Sequence, residues 1–434
     1  MNRLQLFPIT TKIENGQLTI AGHPLAALAD EYGTPLYVYD RATLDAAVAD
    51  YQSALRSFYP GPASVTYAGK ACLCKALAQW TRFHDLWVDC TGEGEIAIAL
   101  AGGVPRERIL VHGVNKSLAD LKSALRHAAV IAVDNLTELE RIAQLVTQYE
   151  IRNTSLWLRL LPGLAVETHH AHTQTGQHES KFGMTRAEML EAAQFCRQHN
   201  LPLNGIHFHQ GSNFRDPSPL VEAIEIGLEV AKEIGFSGEW HFSPGGGWGV
   251  AYHEDELPQP NTADYVRVVA ENTIKGCQTR GLPLPHLHLE PGRSLVARAG
   301  VAIYKVGAIK RRGDKVWILT DGGMTDNPRY ALYGARYSCL TVAAPSRERS
   351  GRVSIAGPFC ESGDVLVEDL SMPKMEVGEW IAIPASGAYQ LSMSSNYNGA
   401  RRPAVVWLEA GRARLIVRRE TTDDLLRRDE GLEI

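Results

Sequence analysis

The stretch 65-VTYAGKA-71 is a β-branched and aromatic run that ends on a glycine and one lysine, in a chain that otherwise places its lysines in polar stretches. Such a run reads as a short buried strand. Seven more of the kind follow: 86-LWVDC-90, 109-ILVHG-113, 130-VIAVD-134, 156-LWLRLL-161, 205-GIHFHQ-210, 239-EWHFSPGG-246 and 286-HLHLEPG-292. Between them lie segments with apolar residues at three- and four-residue steps, among them 117-SLADLKSALRHA-128, 135-NLTELERIAQLVTQY-149, 185-TRAEMLEAAQFCRQHN-200 and 219-PLVEAIEIGLEVAKEIG-235. Ser117 ahead of its helix, and Thr185 followed three residues later by Glu188, are helix-start signals. Eight alternating β/α units predict a parallel (β/α)8 barrel, in which functional side chains gather at the carboxyl ends of the strands. The polar residues at the run ends are Lys70, Asp89, His112, Asp134, Arg159, His209, the glycines 245 to 247 and Glu290.

After Arg293 the pattern changes to strands without long helices: 301-VAIYKVGAIK-310, 315-KVWILTDGG-323, 352-RVSIAGPFC-360, 364-DVLVED-369, 379-EWIAIP-384, 404-AVVWLEA-410 and 413-ARLIVRR-419. This reads as an all-β domain of barrel or sandwich type. The Asn-Gly in 11-TKIENGQLTIAG-22 signals a hairpin expected to pair with it. The expected division is a barrel over 36–293 and a β domain made of 1–35 and 294–434.

Composition narrows the function classes. Of 434 residues, 44% are apolar and 21% charged, with a net charge of -5, which suits an enzyme-sized protein with ample core and gives no footprint for nucleic acid. The seven cysteines are scattered, without paired metal-site spacing, and fit a reducing cytoplasm. No stretch of 18 apolar residues suggests a membrane span. The expected partner is a small molecule.

Several of these residues form a chemical set. A lysine among apolar neighbours at a strand end can lose its proton and attack a carbonyl, although a lone lysine there is commonly a solvated cap. Gly245, Gly246 and Gly247 can close backbone amides around an anion, or simply turn the chain. His209 can lie flat on an aromatic ring, or be a satisfied core histidine, and Ser212 can meet a phosphate oxygen. Glu290 and Arg293, joined by Pro-Gly, form either a local ion pair or a carboxylate for a pyridine nitrogen with a guanidinium for an anion.

The ordered set YAGKA, HFHQGSN, SPGGGWG, EPGRS, DGGMTDNPRYALYGARY, GPFCESGDVL and GAYQLSMSSNYNGARRPA resembles the diaminopimelate decarboxylases, of the alanine-racemase-like (fold type III) pyridoxal phosphate enzymes, from about residue 35 to residue 425. The resemblance implies pyridoxal 5'-phosphate on Lys70 as a Schiff base, with His209 on the ring and Ser212 and the glycine run at the phosphate. It also implies Glu290 at the ring nitrogen, with Gly292, Arg293 and Tyr389 in the cofactor's surroundings. It assigns a substrate clamp of Arg293, Arg329, Tyr333, Glu361 and Tyr389, and makes Cys360 the proton donor to the α-carbon. In the family the CESGD segment enters a partner's site, so a homodimer with shared active sites is implied. The implied reaction converts meso-2,6-diaminopimelate to L-lysine and carbon dioxide. Decarboxylation of ornithine, arginine, lysine or a carrier-bound glutamyl group, or cofactor binding without turnover, are the alternatives. The chain departs from common family wording in GSN, YAGKA, DCTGEGE and SPGGGWG. The histidine-rich 167-ETHHAHTQTGQHES-180 matches a family loop rather than a metal site, and no metal is expected.

Overall fold

The structure, a computed structural model, describes residues 2–149, 153–164, 176 and 179–432; most of the histidine-rich segment lies outside them. Contacts divide the chain into two compact units, one of residues 47–249 and 260–294, the other of 1–46, 250–259 and 295–434.

The first unit is a closed barrel of eight strands: β1 (Ala63–Ala68), β2 (Trp87–Cys90), β3 (Ile109–Val111), β4 (Val130–Val133), β5 (Ser155–Arg159), β6 (Leu203–His207), β7 (His241–Ser243) and β8 (His286–Leu289). Every neighbouring pair is parallel, and β8 closes on β1 through Leu287 opposite Ala63 and His288 opposite Ser64. All eight runs read from the sequence are strands of this barrel.

Local chemistry sets the helices between them. Ser117 and Asp120 form a reciprocal capping box on Leu118–His127, and Thr185 and Glu188 form another on Arg186–Gln198. Pro219–Ile234 stops at Gly235, whose φ of 88° is left-handed. Leu110, Val130, Ala132 and Trp157 pack together as a buried cluster with Trp87 against them. Trp157 is wholly buried, and a Cβ on Gly205 would sit 2.3 Å from its indole, so β6 needs a residue without a side chain there.

The second unit carries a nine-stranded sheet in which Gly300–Arg312 is central. Its first part pairs antiparallel with Leu36–Asp40 and Trp380–Ile383, its second part with Lys315–Thr320, and the register shifts between Val306 and Ala308. Leu36, Val38, Val301, Ile303, Ala382, Val406 and Leu408 make its core. Leu36–Asp40 also pairs parallel with Ala404–Glu409. The boundary expected at residue 36 therefore falls too early: 36-LYVYD-40 is buried throughout as a strand of the β unit, and 250–259 also belongs to that unit. The predicted hairpin is present, with Asn15 and Gly16 at φ of 50° and 74° as a type I′ turn requires. It builds its own three-stranded sheet, joined by hydrogen bonds between Leu18 and Val342 and between Ala344 and Gly16 to the segment after the short strand Leu340–Thr341.

Candidate active site at the carboxyl ends of the barrel strands

Glu290 follows β8 directly and is 7% exposed. Ser243, the last residue of β7, donates its hydroxyl to Glu290 Oε1 at 2.6 Å. His207, the last residue of β6, brings Nε2 to 3.2 Å from Oε2, and His112 after β3 brings its own Nε2 to 3.3 Å from the same oxygen. Burial opposes ionisation of Glu290, but the two imidazoles outweigh it and hold the carboxyl well below its usual range. Burial pushes His207 down to about 3 in spite of Glu290, so at neutral pH it is an uncharged ring offering an N–H to a carboxylate. The site thus contains a buried carboxylate that Ser243 hydrogen-bonds and two imidazoles face, with no lysine or arginine paired to it among the described residues.

Beside it, Arg159 at the end of β5 reaches Asp134 at 3.2 Å and covers the Phe182 ring at 4.6 Å. Burial raises the Asp89 carboxyl, which the charges of His112 and Lys70 counter. Lys70 lies in the turn Gly69–Ala71 just past β1. The turn presses against β2, since a Cβ on Gly69 would sit 2.7 Å from the Asp89 carbonyl oxygen. Lys70 is exposed in the single chain, not enclosed by apolar neighbours as its sequence surroundings suggested. Its charge nonetheless acts on His209, which burial first and Lys70 second push well below the usual histidine range.

The glycine run is imposed by close backbone approach. A Cβ on Gly246 would lie 2.0 Å from the Glu290 carbonyl oxygen, and one on Gly247, at φ of 96°, would lie 2.2 Å from the Gly211 carbonyl oxygen. Gly246 N–H points at His209 Nδ1 at 3.4 Å, and Gly245 N–H at Ser243 Oγ at 3.2 Å. Arg293 donates to Ser212 Oγ at 2.9 Å. Gly292 lets this turn lie against β1, where a Cβ would come 3.0 Å from that of Ala68. The barrel therefore brings together Lys70, His209, Ser212, Gly245 to Gly247, Glu290, Gly292 and Arg293. His207 and Ser243 were not singled out in the sequence; their signal was the alternate-residue spacing along β6 and β7 that turns them to the same side as Glu290.

The remaining candidates belong to the β unit. Arg329 opens the short helix Arg329–Tyr333 and is 5% exposed. Its guanidinium lies 4.3 Å from the Tyr252 ring centre and donates to Tyr337 Oη at 2.7 Å, and Gln390 donates to that same hydroxyl. Tyr337 and Tyr252 together keep Arg329 charged against its burial. Its Nε makes no hydrogen bond, and no carboxylate pairs with it among the described residues. Tyr333 is half-buried at the other end of that helix. Tyr389 is held at φ of 58°, a conformation that costs a tyrosine of order 1 kcal/mol and persists where the surrounding structure over-determines it. Cys360 and Glu361 are exposed on the loop between Gly351–Ala356 and Val365–Met372. Asp364 shapes that loop by accepting the N–H groups of Phe359 at 2.8 Å and Met324 at 2.7 Å.

Residues 42–297 match the family model "Pyridoxal-dependent decarboxylase, pyridoxal binding domain". The chain is 38% identical over 431 residues to a diaminopimelate decarboxylase of Actinosynnema pretiosum subsp. auranticum, covering 98% of this chain and 95% of the relative. It belongs to the diaminopimelate decarboxylase family. A second member, from Bacillus subtilis, is 37% identical over 430 residues and 96% of both chains. A crystal structure of the M. jannaschii diaminopimelate decarboxylase superposes with a TM-score of 0.91 at 29% identity over 98% of each chain. The Helicobacter pylori enzyme complexed with L-lysine gives 0.84 at 30% identity, over 93% of this chain and 98% of that one. A lysine/ornithine decarboxylase from Vibrio vulnificus, at 23% identity, shares the fold.

The family's cofactor fits what these barrel residues offer. An amine, an ionised carboxylate and a serine–arginine pair stand at the strand ends, with glycines whose side-chain space is already filled by backbone. Asp89 Oδ1 and both amide atoms of Gln210 are buried without hydrogen-bond partners among the described residues, as befits a site that a polar group completes.

Proposed function

We propose that this chain decarboxylates meso-2,6-diaminopimelate to L-lysine and carbon dioxide with pyridoxal 5'-phosphate. Lys70 would hold the cofactor covalently, His209 its ring face, Ser212 and Gly245 to Gly247 its phosphate, and Glu290 its ring nitrogen. Gly292, Arg293 and Tyr389 complete those surroundings. When bound, the cofactor supplies an electron sink for the charge left on the α-carbon as carbon dioxide departs.

The chain's own residues make that sink work. Glu290, held ionised by Ser243, His207 and His112, keeps a proton on the ring nitrogen. His207, with its basicity lowered by burial to about 3, is too weak a base to take that proton. Arg329, with Arg293, binds the far carboxylate of the substrate; Glu361 takes the far ammonium, and Tyr333 and Tyr389 orient that end. Cys360 delivers a proton to the α-carbon.

The buried Arg329 guanidinium, charged and without a carboxylate, is the observation that carries the choice of substrate. Lysine and ornithine lack the far carboxylate and would leave it unpaired, which a site built around a charged group discriminates against by about 10^4. Exposure of Cys360 and Glu361 in one chain supports their entering a partner's site, hence a homodimer with shared active sites. Seven cysteines free of disulfides support a cytoplasmic location, and no helix among the described residues is long and apolar enough to cross a membrane.

The deciding experiment incubates purified holoenzyme with meso-diaminopimelate, lysine, ornithine and arginine and measures carbon dioxide. Release from diaminopimelate alone is expected; a preference for any of the others overturns the substrate. Borohydride treatment followed by peptide mapping should leave a pyridoxyl group on Lys70, and its absence there overturns the cofactor assignment.

A further inference from the structure

The opposite end of the same barrel holds a second set of side chains that the proposed reaction does not use. His241 and His286 are the first residues of β7 and β8 and are register partners, and His288 lies two residues further along β8 on the same face. The reaction's groups lie at or just past the last residues of these strands, so His241 and His286 stand at the amino-terminal mouth and His288 lies deeper in the barrel.

One ring nitrogen from each of the three lies within 4.8 Å of the others. His241 Nδ1 is 3.0 Å from His288 Nε2, and Ser64 Oγ is 2.8 Å from His286 Nε2. The rings of His286 and His288 stack at 4.4 Å, with Trp157 stacked on His241 at 5.2 Å and Trp87 edge-on to His288 at 5.0 Å. His288 is wholly buried, and its Nε2 faces His241. His241 and His286 are only half-buried, which leaves a way in from solvent.

We propose that His241, His286 and His288 bind a divalent transition-metal ion of the zinc type at the amino-terminal mouth of the barrel, with water completing the shell. Bonds of 2.0–2.1 Å in a tetrahedral shell separate ligand nitrogens by about 3.4 Å, so the 3.0 Å pair needs to open by a few tenths of an ångström and the wider separations, up to 4.8 Å, need side-chain rotation to close. Three imidazoles without a thiolate or a rigid oxygen cage suit zinc, cobalt, nickel or copper and not magnesium or calcium. Burial keeps the rings in the neutral form a metal requires, with His241 pushed down to about 4 and His286 and His288 also lowered. Ser64 is placed to orient His286, and the ion joins two adjacent strands.

The test uses full-length holoenzyme, free of affinity tags, stripped with a chelator and titrated with cobalt(II) and then zinc(II) chloride. One ion per chain is expected, with the visible absorption of a tetrahedral cobalt site and a rise of several degrees in melting temperature. His286→Ala and His241→Ala should each weaken binding by about 100-fold or more, while decarboxylation by metal-free enzyme is unchanged. His286→Cys should keep the metal and add a thiolate-to-cobalt charge-transfer band, which a merely structural role for His286 would not produce. No binding by the wild-type chain overturns the proposal. So does equal binding by wild type and both alanine variants, which would assign the ion to another group such as the histidine-rich segment 167–180.

Discussion

Lowering the pH from 7 to 5 should destabilise the protein by about 3 kcal/mol or more. The barrel buries histidines in their neutral form: burial takes His207 to about 3 and His241 to about 4, and His209 and His288 well below the usual range. An unfolded histidine takes up a proton below about pH 6.5, where the folded barrel refuses it. The unfolded state then binds more protons, and each such ring lowers stability by about 1.4 kcal/mol per pH unit as the pH falls from 6.5 toward its folded value. Over pH 6.5 to 5 this amounts to about 2 kcal/mol each for His207 and His241, about 4 kcal/mol together, and His209 and His288 act in the same direction. Asp326 in the β unit acts in the opposite sense. Burial raises its carboxyl to about 6, so protonation between pH 6 and 5 restores about 1.4 kcal/mol. The net loss from His207, His241 and Asp326, about 3 kcal/mol, is a large fraction of a typical folding stability of about 5–15 kcal/mol. Urea midpoints followed by tryptophan fluorescence at pH 7, 6 and 5, with chelator present, measure it. His241→Asn should flatten the slope by about 1.4 kcal/mol per pH unit. A midpoint that stays constant or rises between pH 7 and 5 would refute the assignment of these rings as neutral and buried.

Other expectations are equally specific. Gly246→Ala places a methyl 2.0 Å from the Glu290 carbonyl oxygen, where no side-chain rotation relieves it; thermal denaturation should show a loss of about 3 kcal/mol, with cofactor retention falling more steeply. Arg329→Met removes the buried cation over Tyr252, and steady-state kinetics should show kcat/KM for diaminopimelate reduced by about 10^2 to 10^3. Cys360→Ala should keep its cofactor absorbance while turnover drops by about 10^2 or more, and a normal rate would remove Cys360 as the proton donor. Asp326→Asn abolishes the acid-side gain described above, so stability should fall more steeply between pH 6 and 4, by about 1.4 kcal/mol per unit in the denaturant series.

Much of this protein was legible in its sequence because the signals are local. Period-two and period-3.6 patterning, Ser117 and Thr185 as helix caps and the Asn-Gly hairpin each depend on a few neighbouring residues, and these were enough to determine eight β/α units followed by a β domain. The motif set likewise marked Lys70, His209, Glu290 and Arg329 as chemistry-bearing residues. The sequence could not assign Leu36–Asp40 to its sheet, because a buried β run looks the same wherever it pairs, and its partners at Gly300–Ile303 and Ala404–Leu408 are remote in the chain.

Only the tertiary structure decided which side chains meet inside the barrel. That Ser243 and two histidines from β6 and the end of β3 converge on Glu290, and that three other histidines meet at the far end, follows from strand register and closure. Those properties are settled by closing eight strands into one barrel, with Trp157 packed against Leu110, Val130 and Ala132, and no single strand contains them.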